Sequence, residues 1–284
     1  MRTHSRSRSA LAGLQQGTAV NRKKELSGPE AFDAYYSVLF GNRWPALRSS
    51  LLSPPRAVPW QEALLKPYFL DAGSVEAALA LPLDGAQTVL DMCAAPGGKT
   101  LVLAGRLADG AVLTANEFSR DRKARLLSVL DQHLPESLRT QVRVTGRDAS
   151  RWSRYEQSAY DRILLDAPCS SERHVLSAPS FLAGWTAARI RNLALRQWSL
   201  LSGAWLVLRP GGYLLYSTCA LAPEENDLVI GRLLKKYHGV CIEETGRSDS
   251  LGEKTVYGRH VLPDTASGAG PLYYALVRKD ELEV

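Results

Sequence analysis

The feature that most constrains the fold is an alternation of strand and helix patterns that runs from residue 88 almost to the C-terminus. Seven short runs of β-branched, aromatic and aliphatic residues predict strands: TVLDM, AVLTANE, QVRVT, DRILLDA, GYLLYST, GVCIEE and PLYYALVRK. Amphipathic stretches with helical spacing separate most of them. This order predicts an α/β, doubly wound, mostly parallel seven-stranded sheet. The last run follows a connection without a helix pattern, so we expect it to pair antiparallel at or near an edge.

The chain before residue 88 divides into two segments. Residues 1–28 are polar, rich in Ser and Arg and without hydrophobic periodicity, which predicts a flexible basic tail. An organellar transit peptide and a nucleic-acid-binding arm are alternatives for this tail. Residues 29–87 hold aromatics and short apolar stretches broken by prolines, which predicts a short, mainly helical N-terminal extension that contacts RNA. The predicted domain is therefore residues 88–284.

Composition excludes several classes of protein. No apolar run approaches the roughly 18 residues that a membrane span requires, so we expect no integral membrane protein. The four cysteines are too few for a disulfide scaffold and form no Cys-x-x-Cys pair, so we expect no metal site. Residues 1–24 carry six basic residues and no acid, which equals the net charge of +6. Basic residues also cluster between residues 119 and 154 and between 185 and 209, where a phosphate backbone could lie.

A small-residue loop and an acidic residue predict a cofactor site. The first strand ends in Asp91-Met92-Cys93-Ala94-Ala95-Pro96-Gly97-Gly98-Lys99-Thr100. A nucleotide-triphosphate-binding loop would need glycine where Cys93 stands, so that function is excluded. Glu117 ends the second strand, at the spacing of an acid that accepts hydrogen bonds from ribose hydroxyls. Loop and acid together indicate a site for an adenosine-type cofactor.

Two cysteines fall at the carboxyl ends of consecutive predicted strands. Cys169 follows Asp166 in DAPC, and Cys219 ends YSTC. Strand ends of this kind open onto the ligand crevice of a doubly wound sheet, and a thiolate is an able nucleophile. We therefore predict two functional thiols.

These motifs resemble a known family. LDMCAAPGGKT, LLDAPCSSERH and YSTCALAPEEND resemble the Sun-type RNA cytosine carbon-5 methyltransferases, and FDAYYSVLFGNRWPALRSSLLS resembles the mitochondrial-type ribosomal-RNA branch. The resemblance implies a Rossmann-like methyltransferase that uses S-adenosylmethionine and acts on RNA. It implies that Cys93 to Lys99 line the cofactor loop, that Glu117 holds the ribose and Asp148 the adenine edge, and that Asp166 forms the floor. Cys219 would be the nucleophile, Cys169 would assist release, and Lys99 would position Asp166 or the base.

One segment departs from the common family pattern. Many members have a small residue and glycine after DAPCS, whereas Ser171, Glu172, Arg173 and His174 follow here, as in the mitochondrial-type branch. His174 either touches a substrate phosphate or packs in its loop. Arginine and lysine residues in the basic clusters and beside the catalytic loop are predicted to contact phosphates: Arg120, Arg122, Lys123, Arg125, Arg173, Arg189, Arg191 and Arg196.

Alternative functions remain open at this stage. Ribosomal RNA is predicted ahead of transfer RNA as the substrate. A DNA cytosine methyltransferase would use the Pro-Cys thiol as its nucleophile, and a catalytically silent RNA-binding assembly factor would need neither thiol. We expect a cytoplasmic monomer, with a mitochondrial location and a ribosomal or RNA-binding partner protein as alternatives.

Overall fold

The computed structural model describes residues 27–245 and 251–281. Except for residues 27 and 28, the predicted basic tail lies outside these residues. The strands are β1 (Ala57–Trp60), β2 (Tyr68–Asp71), β3 (Thr88–Asp91), β4 (Val112–Asn116), β5 (Val142–Thr145), β6 (Tyr160–Asp166), β7 (Leu208–Thr218), β8 (Val240–Glu243), β9 (Glu253–Lys254), β10 (Arg259–Val261) and β11 (Leu272–Lys279). The helices are α1 (Pro29–Phe40), α2 (Trp44–Leu52), α3 (Ala72–Ala80), α4 (Gly98–Ala104), α5 (Arg120–His133), α6 (Glu136–Arg139), α7 (Glu172–Ser177), α8 (Pro179–Ala183), α9 (Ala187–Val207) and α10 (Asp227–Lys236).

The predicted α/β fold is confirmed. Strands β3 to β7 run parallel in the order β5-β4-β3-β6-β7, and β11 pairs antiparallel with β7. All seven predicted runs form strands of one sheet. The predicted strand count is wrong, because β9 and β10 bring the sheet to nine strands in the described residues. These two strands are very short and β9 is Glu-Lys, so neither carries an alternating apolar pattern.

Two apolar layers cover the faces of the sheet. On β6, Leu164 packs with α4 and α5 on one face, whereas Ile163 and Leu165 pack with α9 and α10 on the other. Successive side chains of a strand point to opposite faces, so a continuous apolar run is what a sheet covered on both sides requires. Within the described residues no helix is long and apolar enough to cross a membrane.

The N-terminal extension packs around an aromatic cluster. Phe32 and Tyr36 of α1 and Trp44 of α2 are buried in one cluster with Trp185. The ring centroid of Trp185 lies 5.3 Å from that of Phe32 and 6.0 Å from that of Tyr36. Strands β1 and β2 form a separate antiparallel pair, which the sequence analysis did not predict because Pro59 interrupts the run. The division into domains at residue 88 stays a prediction.

The strand order determines where a ligand can bind. The chain leaves β3 toward β4 and β5, and then returns to the other side of β3 to form β6 and β7. The crevice of such a sheet opens at the carboxyl ends of the strands beside this reversal. The loops that follow β3, β4, β5, β6 and β7 therefore meet at one edge of the sheet.

Candidate active site

The loop between β3 and α4 is a compact cradle. Gly97 has a φ of 119°, and a Cβ built there would lie 3.1 Å from Val129 Cγ1, so glycine is required. A cavity of about 110 Å³ lies against the loop. The predicted cofactor-loop residues that line it are Cys93, Ala94, Ala95, Pro96, Gly98 and Lys99.

A second cavity of about 270 Å³ is lined by Glu117 and Asp148, which the resemblance places at the nucleoside. Glu117 is buried at the end of β4, and its Oε1 accepts a hydrogen bond of 2.9 Å from the Ser119 amide. The Ser150 hydroxyl donates to Asp148 Oδ1 at 2.7 Å and holds the pKa of this carboxyl below its usual value. Two acidic side chains thus border one small cavity and offer it hydrogen-bond acceptors.

A buried carboxylate oxygen beside the cradle lacks a partner. Asp91, the last residue of β3, is 1% exposed, and the Thr100 hydroxyl donates to its Oδ2 at 2.7 Å. Its Oδ1 is buried without a hydrogen-bond partner in the structure. Burial raises the pKa of Asp91 to about 7. A free acceptor at this position fits the ammonium group of an amino-acid-type cofactor such as S-adenosylmethionine.

The two predicted thiols share a cavity of about 710 Å³. Cys169 follows β6, Cys219 follows β7, and the Cys219 amide donates to Cys169 Sγ at 3.2 Å. The Ser171 hydroxyl lies 3.2 Å from Cys219 Sγ and 3.5 Å from Cys169 Sγ. Hydrogen bonding with Cys219 and burial raise the pKa of the Cys169 thiol well above its usual value. Cys169 therefore stays a neutral thiol near neutral pH.

An ion pair forms the wall of the same cavity. Lys99 Nζ lies 2.8 Å from Asp166 Oδ2, and the Ser217 hydroxyl donates to Asp166 Oδ1 at 2.8 Å. Burial would lower the pKa of Lys99, but the carboxylate of Asp166 outweighs it and raises this pKa above its ordinary value. The ammonium group therefore stays protonated at neutral pH, and it holds one oxygen of Asp166 in the wall of the cavity.

Two buried carboxyl groups hold the thiol loops from behind. The Ser170 amide donates to Glu225 Oε2 at 3.0 Å, and the Leu221 amide donates to Glu172 Oε2 at 3.1 Å. Burial and the neighbouring Glu172 raise the pKa of Glu225 to about 7. The Tyr36 hydroxyl donates to Glu172 Oε1 at 2.5 Å, which ties the N-terminal extension to the loop of Cys169.

Comparison with known proteins identifies the family. Residues 78–278 match a family model described as the 16S rRNA methyltransferase RsmB/F. The chain belongs to this family. The predicted resemblance to RNA cytosine methyltransferases that use S-adenosylmethionine is thereby confirmed.

Individual RsmB/F relatives agree with this result. The chain is 36% identical over 223 residues to the mitochondrial tRNA (cytosine(34)-C(5))-methyltransferase of Danio rerio, which covers 75% of this chain and 60% of the relative. It is 36% identical over 235 residues to the 5-cytosine rRNA methyltransferase NSUN4 of Mus musculus, with 76% and 61% covered. The crystal structure of NSun6 from Pyrococcus horikoshii with SFG matches with a TM-score of 0.65 and 27% identity, over 77% of this chain and 54% of that chain. This RsmB/F chain thus spans about 60% of the length of these curated relatives.

Two residues predicted to bind RNA have other contacts in this RsmB/F chain. The Arg173 guanidinium donates to the backbone carbonyls of Ser53 at 2.6 Å and Gly270 at 2.8 Å, so the chain itself uses its donors. Arg122 donates to Ala95 O at 2.7 Å and lies 3.4 Å from Glu117 Oε2, where it borders both large cavities. That these two side chains contact RNA stays a prediction, although these contacts leave Arg173 fewer donors for a phosphate than Arg122, whose side chain is 49% exposed.

The remaining predicted RNA contacts lie on α5, on α9 and in the loop after Cys169. Exposed side chains on α5 and α9 are Arg120, Arg125, Arg189, Arg191 and Arg196, whereas Lys123 is half-buried. His174 is exposed and lines the cavity of about 710 Å³, and its ring lies 5.1 Å from that of Phe181. No group of three or more His, Cys, Asp or Glu side chains among residues 27–245 and 251–281 is arranged to hold a metal ion.

The sequence analysis did not assign several residues of this RsmB/F site. Asp91, Ser171, Glu172, Ser217 and Glu225 all lie within the motifs that carried the resemblance, so their proximity to the site was visible. Their specific contacts were not, because these contacts join loops that are about 50 residues apart in the chain.

Proposed function

We propose that this chain transfers a methyl group from S-adenosylmethionine to carbon 5 of a cytosine in RNA. The observation that carries the proposal is the pair of thiols, Cys169 and Cys219, in one cavity with the Lys99–Asp166 ion pair. This cavity shares Cys93 with the cavity of the predicted nucleoside site. Cofactor and base can thus meet without any change in the fold.

The thiols answer the chemical problem of this reaction. Carbon 5 of cytosine is a weak nucleophile, and addition of the Cys219 thiolate to carbon 6 makes it enamine-like. When bound, S-adenosylmethionine supplies an electrophilic methyl group on a sulfonium sulfur. Carbon 5 takes up this methyl group, and its own proton then passes to solvent. The bond to Cys219 breaks with its electron pair on sulfur, which restores the aromatic ring. Cys169, held as a neutral thiol beside Cys219, assists this release step.

The ion pair supplies orientation and charge. Asp166 accepts a hydrogen bond from the base edge and stabilises a protonated ring nitrogen while the adduct exists. Lys99 and Ser217 hold the two oxygens of Asp166 in place. A base stacked in a helix cannot reach these groups, so the target cytosine is single-stranded or flipped out. A cavity of about 710 Å³ lies within the usual range for ligand pockets.

Ribosomal RNA is the proposed substrate class. The matched family is described as a 16S rRNA methyltransferase and NSUN4 as a 5-cytosine rRNA methyltransferase, which supports this choice. A tRNA substrate is the second candidate, because an equally similar relative is a mitochondrial tRNA methyltransferase. That relative also favours the mitochondrial alternative over a cytoplasmic location. The monomeric state and the need for a partner protein remain predictions.

We propose that RNA reaches the cavity across the exposed faces of α5 and α9. Each face presents arginines, and the two basic helices flank the nucleoside end of the crevice through Arg122 and Arg196. The residues proposed to contact phosphates are Arg120, Lys123, Arg125, Arg189, Arg191 and Arg196, with His174 in the lining of the cavity. The N-terminal extension contributes Pro55 and Asp71 to the wall of the cavity that holds the two thiols.

Bisulfite sequencing tests the proposed function. RNA from cells with and without the protein should differ at a cytosine that resists conversion only when the protein is present. Cys219→Ala should abolish this signal, whereas Cys241→Ser is the matched control, because Cys241 lies on β8 and does not line the cavity. A protected cytosine found in tRNA and in no rRNA would show that tRNA is the substrate. Absence of any protected cytosine would refute the methyltransferase proposal.

A further inference from the structure

The loop that carries Cys169 places a hydroxyl between the two thiols. Ser171 is half-buried, and its Oγ lies 3.2 Å from Cys219 Sγ and 3.5 Å from Cys169 Sγ. Within the described residues, no other side-chain hydroxyl is hydrogen-bonded to either sulfur. We infer that Ser171 is the hydrogen-bond donor that activates Cys219, a role that rests on the proposed function.

The distances determine which atom receives the hydroxyl hydrogen. Three acceptors compete for it: Cys219 Sγ, Cys169 Sγ and the Cys169 carbonyl at 3.4 Å. The carbonyl is too distant, because O–H···O hydrogen bonds in proteins run to about 3.0 Å. Cys219 Sγ is the nearest of the three and, because sulfur is larger than oxygen, lies at an ordinary bonding distance. The hydroxyl therefore donates to Cys219.

Cys169 completes the chain of hydrogen bonds from the other side. Its sulfur already accepts the Cys219 amide at 3.2 Å, and its own S–H can donate to the lone pairs of Ser171 Oγ. The direction thus runs from Cys169 S–H to Ser171 O–H to the Cys219 thiolate. This arrangement involves no proton transfer. This chain of hydrogen bonds favours a negative charge on Cys219 and a neutral thiol at Cys169. Cys219 is therefore the nucleophile of the pair.

The backbone of Ser171 is a second observation, because a serine at this position is less favourable for folding than a glycine would be. Its φ of 55° and ψ of 60° lie in the left-handed region, which costs a residue with a side chain about 1–2 kcal/mol. Glycine would occupy this conformation without strain. Strained backbone of this kind concentrates at functional sites.

The test measures the ionisation of Cys219 directly. Iodoacetamide alkylation of the full chain is followed by peptide mapping, so that Cys219 is read separately from the other cysteines. A hydrogen bond to a charged group changes an equilibrium by about tenfold to a hundredfold. Ser171→Gly should therefore raise the midpoint of the pH profile of Cys219 alkylation by at least about one pH unit. The rate at pH 7 should fall about tenfold or more.

The variants separate an electronic role from a structural one. Ser171→Gly relieves the strained backbone, so its thermal stability should be at least that of the wild type. Ser171→Ala should shift the alkylation profile by the same amount. Ser177→Ala is the matched control, because Ser177 lines the same cavity and donates instead to His174 O at 3.0 Å. Lys99, Asp166, Glu172 and Glu225, which are charged or titratable groups near the thiols, are unchanged in every variant.

Each outcome has one meaning. An unchanged alkylation profile in Ser171→Gly, or an equal shift in Ser177→Ala, would overturn the inference. In methyl-transfer assays Ser171→Gly should lower kcat about tenfold and leave the KM for S-adenosylmethionine unchanged. The alkylation profile does not depend on RNA, so a wild-type protein that fails to methylate RNA would refute only the proposed function.

Discussion

Replacing Asp91 with asparagine should make the protein more stable at alkaline pH and should weaken binding of the methyl donor. Asp91 is fully buried at the end of β3 and has one oxygen without a hydrogen-bond partner in the structure. Burial raises its pKa from 3.8 to about 7, and the Thr100 hydroxyl only partly offsets this effect. The carboxyl group is therefore a cost to folding whenever it is ionised in the unfolded chain.

The sign and size of this cost follow from the two pKa values. The folded state holds the proton more tightly than the unfolded state, so stability falls as the pH rises from 3.8 to about 7. Above that range the full cost is about 4 kcal/mol, at roughly 1.4 kcal/mol per pH unit. The part that develops between pH 5 and pH 8 is about 2–3 kcal/mol. Asparagine does not titrate, so its effect on stability does not change with pH. A buried amide without a hydrogen-bond partner lowers the unfolding free energy by about 1–3 kcal/mol at every pH.

Urea denaturation at pH 5, 6, 7 and 8 measures this prediction. The difference in unfolding free energy between Asp91→Asn and wild type should grow by about 2–3 kcal/mol across the range, and other titrating groups cancel in the difference. Asp84→Asn, at an exposed carboxyl, is the matched control and should show no such trend. A difference that stays constant from pH 5 to pH 8 would refute the reasoning.

Calorimetry tests the functional half of the same prediction. The ammonium group of S-adenosylmethionine needs an ionised acceptor, and a charged hydrogen bond is worth about 1.5–3 kcal/mol. Asp91→Asn should therefore weaken binding about tenfold to a hundredfold. Equal affinity in both proteins would mean that the ammonium group binds elsewhere.

Three further predictions concern the thiols, the ribose and the RNA. Cys169→Ala should trap a covalent Cys219–RNA adduct, seen as a gel band that resists denaturation, because the release step lacks its thiol; trapping by Cys219→Ala instead would exchange the two roles. Glu117→Ala should weaken S-adenosylmethionine binding about tenfold to several hundredfold, since two ribose hydroxyls lose a charged acceptor, and unchanged calorimetry would contradict this. Three variants each neutralise one proposed phosphate contact on α9: Arg189, Arg191 or Arg196. Each should flatten the salt dependence of log affinity by about one unit, and an unchanged slope in all three would exclude α9 as an RNA-binding surface.

The arginines show why charge patterns alone predict surfaces poorly. Arg173 and Arg189 are both basic residues near the predicted site, and the sequence analysis treated them alike. In the fold Arg173 is enclosed by backbone carbonyls of the N-terminal extension and of the loop before β11, whereas Arg189 faces outward. Only the packing of distant segments distinguishes a structural guanidinium from one that is free to meet a phosphate.

The sequence by itself determined the sheet and the placement of the thiols. Strands with both faces covered need continuous apolar runs, and parallel strands end at one edge, so the motifs after β3, β4, β6 and β7 had to meet there. The tertiary structure alone decided what surrounds them. The strands β9 and β10 carry no apolar pattern of their own: β10 forms by pairing with β11, and β9 by pairing with β10. The contacts of Ser171, Glu172 and Glu225 join loops far apart in the chain, and no local pattern encodes such distances.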